Sequence, residues 1–276
     1  MVHDAFRLGD IEVLTVCEGW APLALSDVAP EEQVEWAAER AAHAWAFAGD
    51  AHWPWHVHAF LLRTRAGDVL VDSGVGAFGP YAPWEEAFGS DAWSAIDIRA
   101  VRHVVLTHLH ADHAGGSVFD DGSPRFPNAR YHAHPADWEH FGARPDPDDS
   151  ERPYDARAVL EGLAADGTLS LVDDDHDVSP GVLVVHTPGH TPGHRSVVLK
   201  VGGATLLLTG DLLHIPTQVA HPEWPSNHDV DPTMGSISRT AILGEARDLG
   251  WNVAVSHFAQ PFGHVTADGW SSEPAG

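Results

Sequence analysis

The feature that most constrains this chain is Thr107-His108-Leu109-His110-Ala111-Asp112-His113-Ala114-Gly115-Gly116, where three histidines and an aspartate fall within six residues directly after the apolar run Val101–Leu106. The apolar run reads as a buried strand, and a strand that ends in such a loop can aim all four side chains at one point. Imidazole and carboxylate are the donors of a zinc-type divalent metal. The competing reading is a histidine-rich surface loop, since the chain holds 21 histidines. The tight His-x-His-x-Asp-His string weighs against it.

The second half supplies comparable signals. His186-Thr187-Pro188-Gly189-His190-Thr191-Pro192-Gly193-His194 repeats Thr-Pro-Gly-His, and proline with glycine makes the rigid turn that a ligand-bearing loop requires. Asp211 follows Leu206–Leu208, and His257 follows Trp251–Ser256, two further predicted strands. Each of these alone has a plain alternative: a turn histidine, a helix-capping aspartate, a hydrogen-bonded histidine at a strand end. Together they put a ligand-type residue at each of four strand ends.

Strands are also expected over Phe6–Val16, Ala59–Thr64, Val69–Asp72, Ala129–Ala133, Thr168–Val172, Val182–His186, Arg195–Val201 and Ala204–Thr209. Helices are expected over 31–45, Trp84–Trp93, Pro135–Phe141, Ala156–Ala165 and Met234–Leu249. The acidic run Asp173–Asp177 reads as a solvated turn, and Arg144–Pro153 as a loop. Strand-hairpin units recur in both halves, each ending in metal-type residues, which fits two mixed sheets with helices outside. No linker divides the chain, so residues 1–276 read as a single domain with 43% hydrophobic content.

With 15 basic and 40 acidic residues the formal charge is −25. That field repels polyphosphate backbones and anionic membranes, so nucleic acid is not an expected partner. Cys17 is the single cysteine; it excludes an intrachain disulfide and reads as a buried, inert thiol. No charged segment followed by an apolar stretch opens the chain and no run of 18 apolar residues occurs. A soluble cytoplasmic protein is expected. Trp53, Trp55, Trp84 and Trp224 fall near the candidate loops, as core residues or as walls of an aromatic pocket. The segment around Trp224 is also a candidate homodimer contact.

The ordered set of His108, His110, Asp112 and His113, the Thr-Pro-Gly-His190 turn, Gly210-Asp211 and His257 resembles the metallo-β-lactamase-fold hydrolase superfamily, with the order kept from about Phe6 to Val265. The resemblance implies an α+β fold, an αββα four-layer sandwich of two mixed β-sheets flanked by helices, with two metals at one edge. It implies that His108, His110 and His190 hold the first metal, that Asp112, His113 and His257 hold the second, and that Asp211 bridges them. Zinc is the expected ion, with manganese, iron and cobalt suited to the same donors. The paired Pro-Gly-His turn is similar to that of N-acyl-homoserine lactone lactonases. Gly210–His214, Asp229-Val230-Asp231-Pro232 and Gly263-His264-Val265 look closer to the methyl parathion hydrolase-like branch. Lactonases carry a tyrosine three residues after the bridging aspartate, where this chain has His214. The cysteine ligand of many β-lactamases is absent.

The expected activity is hydrolysis of a small ester, lactone or organophosphate by a metal-bridging hydroxide, since two ions about 3.5–4 Å apart generate such a nucleophile at neutral pH. A glyoxalase-II-type thioesterase and an iron-dependent, persulfide dioxygenase-like oxidoreductase are the alternatives. Asp112 is the expected orienter of the water. A metal-bound water or one of His214, His264 and His194 is the candidate proton donor, with a supporting role behind the ligands favoured for each histidine, and Asp72 is the expected partner beneath the first histidine loop.

Overall fold

The computed structural model describes residues 4–28, 36–76, 90–142 and 156–272. Fourteen described strands form two seven-stranded sheets. The first contains β1 (Ala5–Leu8), β2 (Ile11–Ala24), β3 (His52–Arg63), β4 (Asp68–Val71), β5 (Val101–Val105), β6 (Arg130–Ala133) and β7 (Leu169–Leu171), in chain order. The second contains β8 (His176–Ser179), β9 (Val182–His186), β10 (Arg195–Val201), β11 (Ala204–Leu208), β12 (Asn252–Ala254), β13 (Phe262–Thr266) and β14 (Gly269–Ser271), also in order. Each sheet begins as antiparallel hairpins and changes to parallel pairing where a longer connection intervenes. That happens from β4 to β7 in the first sheet and between β11 and β12 in the second. The short helices are α1 (Leu25–Val28), α2 (Trp36–Ala42), α3 (Ala111–Ala114), α4 (Pro135–His140), α5 (Arg157–Ala165) and α6 (Thr217–Ala220); α7 (Pro232–Asp248) is long.

Hydrophobic burial orders these elements into four layers. Val13, Phe60, Leu62, Val69, Val71 and Val105 of the first sheet meet Val182, Val184, Val197, Leu199, Leu206 and Leu208 of the second in one dry layer. The opposite face of the first sheet packs Leu61, Leu70, Val104 and Tyr131 against Leu160 and Leu163 of α5. The opposite face of the second packs Val198, Leu207 and Val253 against Ile242, Leu243 and Ala246 of α7. Strand segments buried on both faces must be apolar on both, which is why β10 carries Val197-Val198-Leu199 and β11 Leu206-Leu207-Leu208 without a polar break. This is the αββα sandwich the sequence predicts.

The differences lie at the margins. β8 begins inside the acidic run, with His176 opposite Val184, because hairpin pairing holds a strand that has no apolar alternation of its own. β13 and β14 carry no clear alternation either, and they form by extending the sheet beyond β12. Of the helix expected over 31–45, residues 36–42 are α2; Val34 and the glutamates at 31, 32 and 35 lie outside the described residues. Trp84 and most of the 84–93 helix also lie outside, as do the loop at 144–153 and the tail from 273. No helix among the described residues is long and apolar enough to cross a membrane.

Candidate metal centre

One edge of the sandwich gathers the strand ends. In the first sheet β4 and β5 run parallel and lead to Asp72 and His108; in the second β9, β11 and β12 run parallel and lead to His190, Asp211 and His257. All seven expected donors are buried, in two clusters. In the first, His110 Nδ1 lies 3.0 Å from His108 Nε2 and 3.1 Å from His190 Nε2. In the second, His113 Nε2 lies 3.2 Å from Asp112 Oδ2, and His257 Nε2 lies 3.7 Å from the same oxygen. The Asp211 carboxylate stands between them. Its Oδ1 is 3.0 Å from His113 Nε2, and its Oδ2 is 2.9 Å from His257 Nε2, 3.5 Å from His190 Nε2 and 3.8 Å from His108 Nε2.

These donors fit divalent ions. Imidazole nitrogens in contact repel through their lone pairs unless a proton or cation lies among them. Buried Asp211 Oδ1 and His113 Nε2 adjoin without a hydrogen bond. Burial by itself would lower the His113 pKa, yet Asp211, Asp112 and Asp72 raise it well above the usual imidazole range. The surroundings thus select positive charge at the second cluster. Burial holds His108 and His110 well below that range, as neutral donors. Three nitrogens plus one carboxylate, and two nitrogens plus two carboxylates, are zinc-type sets.

The outward nitrogens of His113 and His257 are also held, which fixes those rings' tautomers. His113 Nδ1 donates to Asp72 Oδ2 at 2.7 Å, and His257 Nδ1 to the His56 carbonyl at 2.6 Å. His190 Nδ1 faces Asp229 Oδ1 at 3.5 Å, and His108 Nδ1 lies 3.0 Å from Thr107 Oγ1. Asp72 occupies the expected place, with a left-handed φ of 62° that aspartate tolerates. It also accepts from the Thr107 backbone N–H at 2.8 Å and from the Thr107 hydroxyl.

Several contributors have no local signature in the chain. Asp137 of α4 accepts from Leu109 N, Thr191 Oγ1 and Gly193 N, tying the first histidine loop to the Pro-Gly-His turn. Arg239 of α7, 1% exposed, donates to Asp229 Oδ2 and to the carbonyls of Leu212, Pro222 and Trp224. It braces both the Asp211 turn and the carboxylate behind His190. A period-3.6 reading counts these residues as ordinary helix positions.

The candidate proton donors separate. His214 is buried, with Nε2 3.6 Å from Asp211 Oδ2, and stacks on His257 at 5.6 Å. His194 is fully engaged: Nε2 accepts from the Asp211 backbone N–H at 2.9 Å, and Nδ1 lies 3.0 Å from the Thr187 carbonyl. These bonds hold the Asp211 turn, the supporting place favoured for it over proton donation. His264 is not brought to the site. It pairs with Asn252 at the start of β12, the end of that strand away from His257.

A narrow cleft beside the centre is walled by Trp45, Trp53, Ile215, Phe258, His214 and His257. Trp53 crosses the edges of His214 and His257 at 6.4 and 6.3 Å, and Trp55 packs on His257 at 5.7 Å. Trp224 stacks on His221 of its own chain at 3.8 Å.

Comparison with known proteins agrees with this geometry. An N-acyl homoserine lactonase of Bacillus cereus is 26% identical over 171 residues, covering 55% of this chain and 61% of its own length. The chain thus spans about three fifths of that relative. A probable metallo-hydrolase of Mycobacterium tuberculosis is 32% identical over 188 residues, covering 57% of this chain and 56% of its own. The solved structure of AidC, described as a dizinc quorum-quenching lactonase in complex with a product, shares the fold with a TM-score of 0.82 at 22% identity, over 99% of this chain and 97% of that one. Residues 52–255 match the profile described as Metallo-beta-lactamase superfamily, and with three quarters of its length inside that match the chain belongs to that superfamily.

Proposed function

We propose that this chain is a dinuclear metal-dependent hydrolase of ester-type bonds, with a small lactone as the leading substrate class and esters and organophosphates as related ones. The observation that carries the reading is the position of Asp211, whose carboxylate lies between two complete donor clusters. In this reading His108, His110 and His190 would hold one ion and Asp112, His113 and His257 the other, with the Asp211 carboxylate available to either. When bound, two such ions supply Lewis-acid polarisation of a carbonyl and a water acidic enough to act near neutral pH. Zinc is the expected ion, as it is in the dizinc lactonase AidC.

The protein's own groups do the rest. Asp112 would orient the attacking water by accepting a hydrogen bond from it. His214, inside the cleft, offers the proton needed by the departing oxygen and takes the place of the lactonase tyrosine. Trp45, Trp53, Ile215 and Phe258 close over His214 and His257 and keep bulk water from them. The second donor cluster is complete, which counts against the single-iron oxidoreductase reading. We place the protein in the cytoplasm, and the homodimer contact near Trp224 belongs to the same proposal.

The test is turnover of N-acyl homoserine lactones, aryl lactones, esters, thioesters and phosphotriesters by zinc-loaded protein. Lactone hydrolysis that chelation abolishes and zinc restores is expected. Protein carrying two ions per chain yet inert on the whole panel refutes the reading. His214→Ala should lower kcat and retain both ions; loss of both ions would instead make His214 a ligand or a structural support.

A further inference from the structure

A second cluster of soft donors lies on the inner face of the first sheet, outside the centre described above. Cys17 of β2 pairs in register with His58 of β3, and His56 lies two residues from His58 on the same face. One ligand atom from each of the three lies within 4.8 Å of the others. Cys17 Sγ stands 3.8 Å from His56 Nδ1, and the two imidazoles stack at 5.4 Å. His58 is 4% exposed, and its Nδ1 is buried without a hydrogen-bond partner.

We propose that Cys17, His56 and His58 form a mononuclear site for a zinc-class transition-metal ion, distinct from the dinuclear centre. A thiolate with Zn–S about 2.3 Å and an imidazole with Zn–N about 2.0–2.1 Å stand roughly 3.6 Å apart around a tetrahedral ion. The observed separation matches that spacing. The thiol's alternative partner is the Gly19 carbonyl at 3.7 Å. Burial pushes the Cys17 thiol up to about 11, so without an ion it is protonated and a poor nucleophile at neutral pH. An ion entering the site displaces that proton to the solvent, and the thiolate, two neutral imidazoles and a water complete four positions. Cys17 and His56 are partly exposed, which gives the water position an outlet.

The site adjoins the hydrolytic centre through one residue. The ring of His56 faces Cys17 while its carbonyl accepts from His257 Nδ1. An ion here therefore anchors the strand segment that orients His257.

Cys17 is the only cysteine in the chain, which makes the test specific. Full-length protein, stripped by chelation, is titrated with cobalt(II) and followed in the near ultraviolet. A thiolate-to-cobalt charge-transfer band is expected, abolished by Cys17→Ser, greatly weakened by His58→Gln, and displaced by added zinc. Metal analysis should count one ion per chain fewer in Cys17→Ser than in the parent. Absence of the band in the parent, with equal metal content in parent and Cys17→Ser, overturns the proposal. A band that survives His58→Gln at full intensity overturns the assignment of His58. Ester and lactone turnover does not enter these readouts, so failure of the hydrolase reading leaves the outcome interpretable.

Discussion

Asp72→Asn isolates the support beneath one metal-binding histidine. Asparagine keeps the size of the side chain and tolerates the left-handed φ of 62°, so the backbone need not move. Its amide oxygen can still accept from Thr107 N, now at 2.8 Å. Its NH2 group then takes the place of Oδ2, 2.7 Å from His113 Nδ1, where two donors would face each other. His113 escapes only by moving its proton to Nε2, the nitrogen that faces Asp112 and Asp211, or by rotating away. Either way the second cluster loses a lone pair. Loss of a carboxylate behind a metal-binding histidine costs about 10–100-fold in metal affinity, which is about 1.4–2.8 kcal/mol at about 1.4 kcal/mol per tenfold. Chelator competition on parent and variant in parallel should show one ion weakened by that factor, with the ion at His108, His110 and His190 held as before. Circular dichroism should report an unchanged fold. Equal affinity for both ions in the variant would refute the assignment of Asp72 as the group that sets the His113 tautomer.

Asp211→Ala should release at least one ion and reduce turnover by more than about 10³-fold, since both clusters lose a donor; normal metal content with normal rates contradicts its bridging position. Gly116→Ala should destabilise the fold by about 3 kcal/mol or more in urea unfolding, because an added Cβ runs into the Ser73 carbonyl oxygen and backbone must yield. Glu18 is buried, and burial raises its pKa although Trp93 Nε1 and Val75 N both donate to it at 2.6 Å. A carboxyl raised in the folded state contributes most below its unfolded value, near 4.5, and that contribution is lost as pH rises through the folded value. The parent's stability advantage over Glu18→Gln should therefore shrink between pH 4 and pH 7 in paired urea titrations; an advantage that grows with pH reverses the assigned shift.

The donors were legible because strand ends write them locally. His108, His110, Asp112 and His113 sit within six residues after a valine-rich strand, and Pro-Gly pairs flag the His190 turn. Their supports were not legible to the same degree. Asp72 lies 41 residues from the histidine it orients, and the His56 carbonyl 201 residues from His257. Asp137 and Arg239 present no periodicity or spacing that separates them from other helix residues. His264 shows the converse. Its place in a Gly-His-Val string resembles a site residue, whereas the register with Asn252 carries it to the far end of β12.

Local chemistry in the chain determined which residues can bind ions and that two sheets of buried strands would form. Only the tertiary structure decided which nitrogen of each imidazole faces inward, because that depends on what accepts from the other nitrogen. It alone decided that His194 braces the Asp211 turn while His214 enters the cleft, and that Cys17 meets His56 and His58. The physical reason is common to all three. Strand order and register bring together groups that the chain separates by tens to hundreds of residues, and a hydrogen bond 3 Å long is settled by that placement, which no local run of sequence contains.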